Sequence, residues 1–153
     1  MEHEKSIAYN RKARHDFFIL SNFEAGIALR GTEVKSLRAG RLNLKDSYAK
    51  VKSGELWLIG MHISPYEQGN INNHDPERPR KLLMHAREID RIRRSIEEKG
   101  LTLVPLSLYF KHGKVKVELG LAKGKHTFDK RDDQAEREAR REMDRARKTR
   151  TEP

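Results

Sequence analysis

The segment KVKVELGL, residues 114–121, is the strongest β-strand pattern in this chain. Valine and leucine stand at every second position, and two lysines, a glutamate and a glycine fill the places between them. Side chains alternate between the two faces of a strand, so one face of this strand enters a core and a largely basic face meets solvent. The segment predicts a sheet with one buried face and one charged face.

Shorter patterns around this strand predict further strands. The turn Ser53-Gly54 favours a hairpin. Pro105 shifts the alternation of apolar residues within residues 101–110, which indicates either a bulge or an edge position. We expect a bend near residues 21–23 between two of the strands. The predicted strands cover residues 16–20, 24–29, 47–52, 55–63, 101–110 and 114–121.

Two helices and one long loop complete the body. Thr32 favours a short helix that stops at Gly40, and isoleucines at helical spacing predict a longer helix over Ala86–Lys99, with Gly100 as its cap. Residues 64–80 are rich in proline and asparagine, which is typical of an exposed loop. Short strands with glycine bends and few helices favour a small barrel, with the oligonucleotide/oligosaccharide-binding type as one option.

Composition narrows the class of partner. The chain has 153 residues and a net charge of +10, it is 35% hydrophobic and 37% charged, and it has no cysteine. No apolar run approaches the roughly 20 residues that span a bilayer, so we expect a soluble, cytoplasmic protein without membrane contact. Disulfides and thiolate chemistry are excluded. A basic excess of this size favours nucleic acid as the partner.

The charge divides the chain into two predicted parts. Residues 1–122 carry 22 basic and 15 acidic residues, and residues 123–153 carry 11 and 8, so the excesses are +7 and +3. We expect a barrel domain at 1–122 and a charged tail at 123–153. The tail has only a thin stripe of alanine and methionine at helical spacing, too small to dock on the body. It either becomes a helix on RNA or stays a solvated tail.

Catalytic and metal sites are not indicated. The segment GLAKGK, residues 120–125, has one residue too few for a phosphate loop, and His126 stands where a serine or threonine would bind magnesium. His15 and Asp16 are placed by the strand pattern on opposite faces, so they do not form a catalytic pair. We therefore expect no enzyme activity, no cofactor and no metal site.

Several segments together carry a resemblance to a known family. They are Asn10 and Arg11 to His15, Glu24 to Leu29, Gly31 to Gly40, Asp46 to Ala49, Asp75-Pro76, Arg78 to Leu83, Gly120 to Lys125 and Asp129 to Arg131. In these segments the chain closely resembles the SsrA-binding protein family, also called small protein B. The match covers nearly everything except the termini.

The resemblance implies a fold, a function and a set of partners. The fold is a mainly β, six-stranded barrel of the oligonucleotide-binding type, with peripheral helices and a tail that is disordered or helical. The function is that of a non-catalytic RNA-binding adaptor of ribosome rescue, or trans-translation. The partners are the tRNA-like domain of transfer-messenger RNA, the stalled ribosome with its small-subunit RNA, and elongation factor Tu through the RNA complex.

The resemblance also implies site residues. The RNA-facing set is Asn10, His15, Glu24, Arg38, Arg80, Lys81, Leu83, Lys123 and Lys125. The segment expected at the ribosomal decoding centre is Phe128, Asp129, Lys130 and Arg131. The tail residues expected in the empty message channel are Arg137, Arg140, Arg141, Arg145, Arg147 and Lys148.

Two alternatives stay open. One is a general tRNA-binding or ribosome-associated barrel protein, which competition between a tRNA-like RNA and bulk tRNA would distinguish. The other is an RNA-processing enzyme, which would need a histidine or carboxylate pair that the sequence does not present.

Overall fold

In the computed structural model, residues 4–66 and 73–125 are described. They form nine strands and three helices. In chain order these are β1 (Lys5–Tyr9), α1 (Arg11–Asp16), β2 (Phe17–Ile27), α2 (Gly31–Arg38), β3 (Leu42–Asn43), β4 (Tyr48–Lys52), β5 (Glu55–Ile59), β6 (His62–Ile63), β7 (Arg80–Leu83), α3 (Ala86–Lys99), β8 (Thr102–Lys111) and β9 (Lys114–Gly124).

Six of the strands close into a ring. Their order is β8-β4-β5-β7-β2-β9, and the pairing of β9 with β8 completes the circle. Every pairing in the ring is antiparallel. Strand β1 lies outside the ring and pairs with the second half of β8, while β4 pairs with the first half at Leu103. The predicted mainly β fold with a six-stranded barrel is confirmed.

The barrel interior holds the main core. Strand residues at alternate positions are fully buried there, for example Leu56 and Leu58 of β5 and Val117 and Leu119 of β9, each 0% exposed. Helix α3 adds Ile92 to the same cluster. Burial of these side chains is the main favourable term in the folding of the body.

A second, smaller core lies between α1 and the outer surface of the barrel. Ala13 of α1 packs there with Val104, Leu106 and Ala122. Gly120 lies in close contact with this core, because a Cβ at this position would lie only 2.8 Å from Leu106 Cδ1. The position therefore needs a glycine for packing, and α1 is held on the barrel wall.

Two strand predictions need correction. Residues 16–20 and 24–29 were predicted as separate strands, but β2 is one strand that absorbs an irregularity between Ile19 and Ser21. The strand predicted over 55–63 ends at Ile59, because Gly60 takes a φ of +85°. The bulge at Pro105 is confirmed by a register shift, whereas the edge alternative is wrong because β8 is paired on both sides.

Two elements were not predicted. Residues 11–15 of α1 lie before the first predicted strand, and residues 81–83 of β7 lie between the predicted loop and the predicted helix. Helix α2 begins at Gly31 rather than at a Thr32 cap, and the Arg30 N–H donates to the Glu33 carboxylate at 2.8 Å. The predicted helix Ala86–Lys99 is confirmed, and Gly100 follows it in the left-handed conformation.

Strand β9 runs to Gly124, two residues beyond the boundary placed after residue 122. Nearly all of the predicted tail, from residue 126 onward, lies outside the described residues. Within the described residues, none of the helices has the length and apolar character needed to cross a membrane.

Candidate nucleic-acid interface

The outer surface of β8, β9, β2 and β7 gathers polar and charged side chains in two cross-strand rows. We call it the Glu24 face. The first row is formed by Ser107, Glu118 and Glu24, and the second by Tyr109, Lys116, Gly26 and Leu83. Ala25 and Val117, next to these residues in the chain, are buried in the barrel, so the rows themselves point outward.

Glu24 is held in place from β8, the strand on the far side of β9. Tyr109 Oη donates to Glu24 Oε2 at 2.7 Å, and Lys111 Nζ donates to the same oxygen at 3.2 Å. The Tyr109 hydrogen bond, together with that of Lys111, lowers the pKa of Glu24. Burial and the same carboxylate raise the pKa of Tyr109, which keeps its hydroxyl protonated as a donor. Among residues 4–66 and 73–125, both bonds fall on Oε2, so Oε1 remains for a ligand's donor.

A second carboxylate lies directly across from Glu24. Like charges opposite each other on a sheet repel, so each needs its own cation or donor. Arg14 Nη2 donates to Glu118 Oε1 at 2.9 Å, and Ser107 Oγ reaches the same oxygen at 3.5 Å. Helix α1 thus supplies the cation, Arg14, that offsets the repulsion between the two carboxylates.

Leu83 gives the Glu24 face an exposed apolar contact. It is 51% exposed, although Leu82 beside it is buried in the barrel. Gly26 lies opposite Leu83, and a Cβ at Gly26 would approach Leu83 Cβ to 3.3 Å. Its exposed side chain is able to pack against the apolar face of a base or a sugar.

His15 lies at the end of α1 and its side chain is 81% exposed. Its Nδ1 is 3.0 Å from Asp16 Oδ1, so the expectation that these two side chains point apart is wrong. The reason is that His15 belongs to a helical turn rather than to a strand.

Asn10 and Arg80, two of the predicted RNA-facing residues, are buried in the fold. Asn10 is 5% exposed; its Oδ1 accepts from Ala13 N at 3.1 Å and caps α1, and its Nδ2 donates to the Pro105 carbonyl at 2.9 Å. Arg80 is 0% exposed. The hydrogen bonds of both side chains stabilise the fold.

Arg80 belongs to a buried ion network around Glu33 of α2. Arg80 Nε donates to Glu33 Oε2 at 2.6 Å, Arg78 donates to Oε1, and Arg80 also donates to the Met61 carbonyl. Burial opposes ionisation of Glu33, but the hydrogen bonds from Arg78, the Arg30 N–H and Arg80 outweigh it and lower the pKa of Glu33. This network ties α2 to β7.

The four other predicted cations are spread over the barrel. Arg38 is exposed, with Cζ 5.5 Å from the Phe110 ring centre. Lys81 points outward on β7 and pairs with Glu55 at 3.3 Å. Lys123 lies opposite Phe18, and Lys125 Nζ is 4.6 Å from the ring centre of Phe18. The structure therefore brings Glu24 and Leu83 together and places these cations outside the two rows.

Sequence reasoning missed the residues that hold the two carboxylates. They are Tyr109, Lys111, Arg14 and Ser107. The sequence does contain a signal for Tyr109 and Lys111. They are two residues apart on the strand that continues after the Pro105 bulge, so their side chains point to the same face of the sheet. The Arg14 contact had no signal, because 104 residues separate it from Glu118.

The remaining predicted site residues lie outside the described residues. They are Phe128, Asp129, Lys130 and Arg131 of the decoding-centre segment, and Arg137, Arg140, Arg141, Arg145, Arg147 and Lys148 of the channel segment. Their roles stay predictions.

Comparison with known proteins gives a consistent result. A family model described as "SmpB protein" matches residues 7–149. The SsrA-binding protein of Desulforudis audaxviator is 64% identical over 145 residues, which cover 95% of each chain. That of Carboxydothermus hydrogenoformans is 65% identical over 143 residues, 94% of this chain and 96% of the relative.

A solved structure is also similar. It is described as "tmRNA-SmpB: a journey to the center of the bacterial ribosome", it is 55% identical in sequence, and it superposes with a TM-score of 0.66. The match covers 78% of this chain and 85% of the other. With a family model that spans most of the sequence and relatives above 60% identity, the chain belongs to the SmpB family.

Proposed function

We propose that this protein is an RNA-binding adaptor of ribosome rescue that binds transfer-messenger RNA and delivers it to stalled ribosomes. The observation that carries the proposal is the Glu24 face, where β2 presents an ionised carboxylate with one oxygen open to a ligand beside the basic strand β9. The relatives named for SsrA binding, and the solved structure that joins tmRNA to the bacterial ribosome, support the same role.

The chemistry of Glu24 fits a structured RNA. A carboxylate repels phosphate, so its place on an RNA surface is to accept from a ribose 2′-hydroxyl or from a base N–H. Lys114 and Lys116 lie on the same strand as Glu118 and supply phosphate contacts. Leu83 packs on the apolar face of a sugar or base. Together these contacts recognise shape and hydroxyl groups, as in RNA helices.

The tail has a separate role in the proposal. Phe128 to Arg131 contact the decoding centre, and the arginine-rich segment from Arg137 to Lys148 enters the vacant message channel as a helix. The division into a barrel domain and a tail near residue 122 follows from this. Elongation factor Tu joins through the RNA complex, and the role belongs in the cytoplasm, where ribosomes act. It requires no catalytic group, cofactor or metal.

Two variants test the proposal. Glu24→Ala should weaken binding of the tRNA-like domain of transfer-messenger RNA by roughly 10- to 150-fold, since hydrogen bonds to a charged group contribute about 1.5–3 kcal/mol. Truncation before Asp129 should leave that affinity nearly unchanged and abolish peptide tagging on stalled ribosomes. Affinity is measured by titration of labelled RNA, and tagging by translation in vitro on a message without a stop codon.

Glu97→Ala is the matched control. Glu97 is an exposed glutamate on α3, paired with Arg93 at 2.9 Å and remote from the Glu24 face, so its loss should change neither readout. Equal loss of both activities in Glu24→Ala and in the truncated protein would contradict the division of roles. Equal affinity for the tRNA-like domain and for bulk tRNA would instead favour the general tRNA-binding barrel.

A further inference from the structure

The outer surface of β4, β5 and β7 carries a second set of RNA-compatible side chains. We call it the Trp57 face. Lys50, Trp57 and Lys81 form one cross-strand row, with Trp57 in the middle. Leu56 and Leu58, on either side of Trp57 in the chain, are 0% exposed, so the indole points away from the core. The chain's single tryptophan therefore lies on the barrel wall, flanked by two amines.

A groove surrounds this indole. It has a volume of about 360 Å³ and is lined by Trp57, Ile59, Pro79, Lys50, Lys52 and Glu55. Glu55 pairs with Lys81 at 3.3 Å. Within residues 4–66 and 73–125, Lys50 and Lys52 form no ion pair, and the groove is left with a positive excess. Its floor is aromatic and apolar, and its rim is cationic.

These features match one ligand chemistry. An unpaired nucleotide offers a flat base that stacks on an aromatic ring and a phosphate that pairs with lysine. A duplex keeps its bases stacked inside the helix and offers only phosphates to such a surface. The carboxylates of an acidic peptide would pair with the lysines but offer no flat ring to Trp57, whereas every nucleotide carries both a charge and a ring.

The position of the Trp57 face in the ring gives it a distinct role. In the closed order β8-β4-β5-β7-β2-β9, β5 stands three places from β9, so the two strands lie across the barrel from each other. Outward side chains of β5 and β9 therefore face opposite sides. Trp57 is thus across the barrel from Glu118 and Lys116, although the two faces adjoin on β7, where Lys81 and Leu83 lie two residues apart. The barrel can therefore offer two RNA surfaces.

We propose that the Trp57 face is a second RNA-binding site, which takes an unpaired nucleotide by stacking its base on Trp57 and pairing its phosphates with Lys50 and Lys52. The site goes beyond the proposed function, because it needs no contact from the Glu24 face. Its ligand is single-stranded RNA, either in the ribosome or in another part of the bound RNA.

Trp57 fluorescence tests the site directly in the full-length protein. A short single-stranded oligoadenylate should quench the fluorescence saturably, whereas inorganic phosphate and an RNA duplex of equal length should not. Charge reversal in Lys50→Glu/Lys52→Glu should weaken this binding on the order of tenfold at low salt. The matched control is Lys45→Glu/Lys99→Glu, which reverses two exposed lysines outside the groove and should retain more of the binding.

Substitution of the indole separates stacking from charge. With end-labelled oligoadenylate followed by anisotropy, Trp57→Ala should weaken binding by roughly 5- to 150-fold, and Trp57→Phe should lose less because a ring remains. The proposal is overturned if oligoadenylate gives no saturable quenching, or if the Lys50→Glu/Lys52→Glu variant is quenched as strongly as its control.

Glu24→Ala keeps the two proposals apart. Quenching by oligoadenylate should be unchanged in this variant even if its affinity for structured RNA falls, and loss of the quenching would refute a second site. Binding of the Lys50→Glu/Lys52→Glu protein to isolated small ribosomal subunits and to transfer-messenger RNA is then measured. The comparison identifies which of the two RNAs supplies the unpaired nucleotide. Weaker binding to either one supports the site, and unchanged binding to both contradicts it.

Discussion

Replacement of Glu33 by glutamine should destabilise the barrel strongly, although Glu33 lies outside both RNA faces. Its carboxylate and the Arg80 guanidinium are both 0% exposed, and Arg78 binds the same carboxylate. Removal of one partner of a buried ion pair leaves an uncompensated charge and costs about 3–5 kcal/mol. Domains of this size have a free energy of unfolding of roughly 5–15 kcal/mol, so the loss is a large fraction of the total.

The assay is urea denaturation followed by Trp57 fluorescence and by circular dichroism. The matched control is Glu55→Gln, the same chemical change at a pair with Lys81 in which the two side chains are 47% and 42% exposed. Exposed pairs contribute about 0–1 kcal/mol, so the control should unfold nearly as the parent does. A loss below about 1 kcal/mol in Glu33→Gln, or equal losses in both variants, would refute the reasoning.

The pH dependence of the free energy of unfolding gives an independent check that the charge of Glu33 stabilises the fold. The pKa of Glu33 in the folded protein is lowered from its ordinary value of 4.5. The stabilisation by its charge is therefore fully present above that ordinary value and is lost as the pH falls through the lowered pKa. The difference in unfolding free energy between parent and Glu33→Gln should shrink in acid. A difference that grows below the ordinary value would contradict the assignment.

Three more outcomes are expected. Gly120→Ala should cost about 1–3 kcal/mol in urea denaturation because its Cβ would meet Leu106, whereas Gly31→Ala, with nothing within 4 Å, should cost less. Asn10→Ala should lower the free energy of unfolding by roughly 1–3 kcal/mol, because the α1 cap and the donor to the Pro105 carbonyl are lost. The folded Asn10→Ala variant should keep most of its RNA affinity. If the body neutralises about six phosphates, log affinity should fall with log salt at a slope of roughly −4 to −5, and a slope near zero would contradict phosphate binding.

Local patterns predicted much of the fold. Alternation found β9, the hairpin of β4 and β5, and the bulge at Pro105, because a strand half buried in a core shows its period in its own residues. Helix α3 was found in the same way from its isoleucines. Strand β7 was missed because it has only four residues and follows a proline-rich segment, and α1 because its six residues carry a single buried alanine.

The candidate site was predicted less completely than the fold. Resemblance to a family indicated Glu24 and Leu83, and the structure places both on one face. It also indicated Asn10 and Arg80, which are buried. An arginine in a basic segment suggests a phosphate contact, and only the position of Glu33, 47 residues away in the chain, makes Arg80 a buried partner instead.

The sequence by itself determined the charge of this protein, the strand periods and the family, because each of these depends on residue types and on neighbours along the chain. Tertiary structure alone decided which cations meet the carboxylates of Glu24, Glu33, Glu55 and Glu118. Those contacts form between residues 26 to 104 positions apart, when the ring of strands closes. Closure also sets Glu118 of β9 and Trp57 of β5 on opposite walls, a relation that no local pattern in the chain contains.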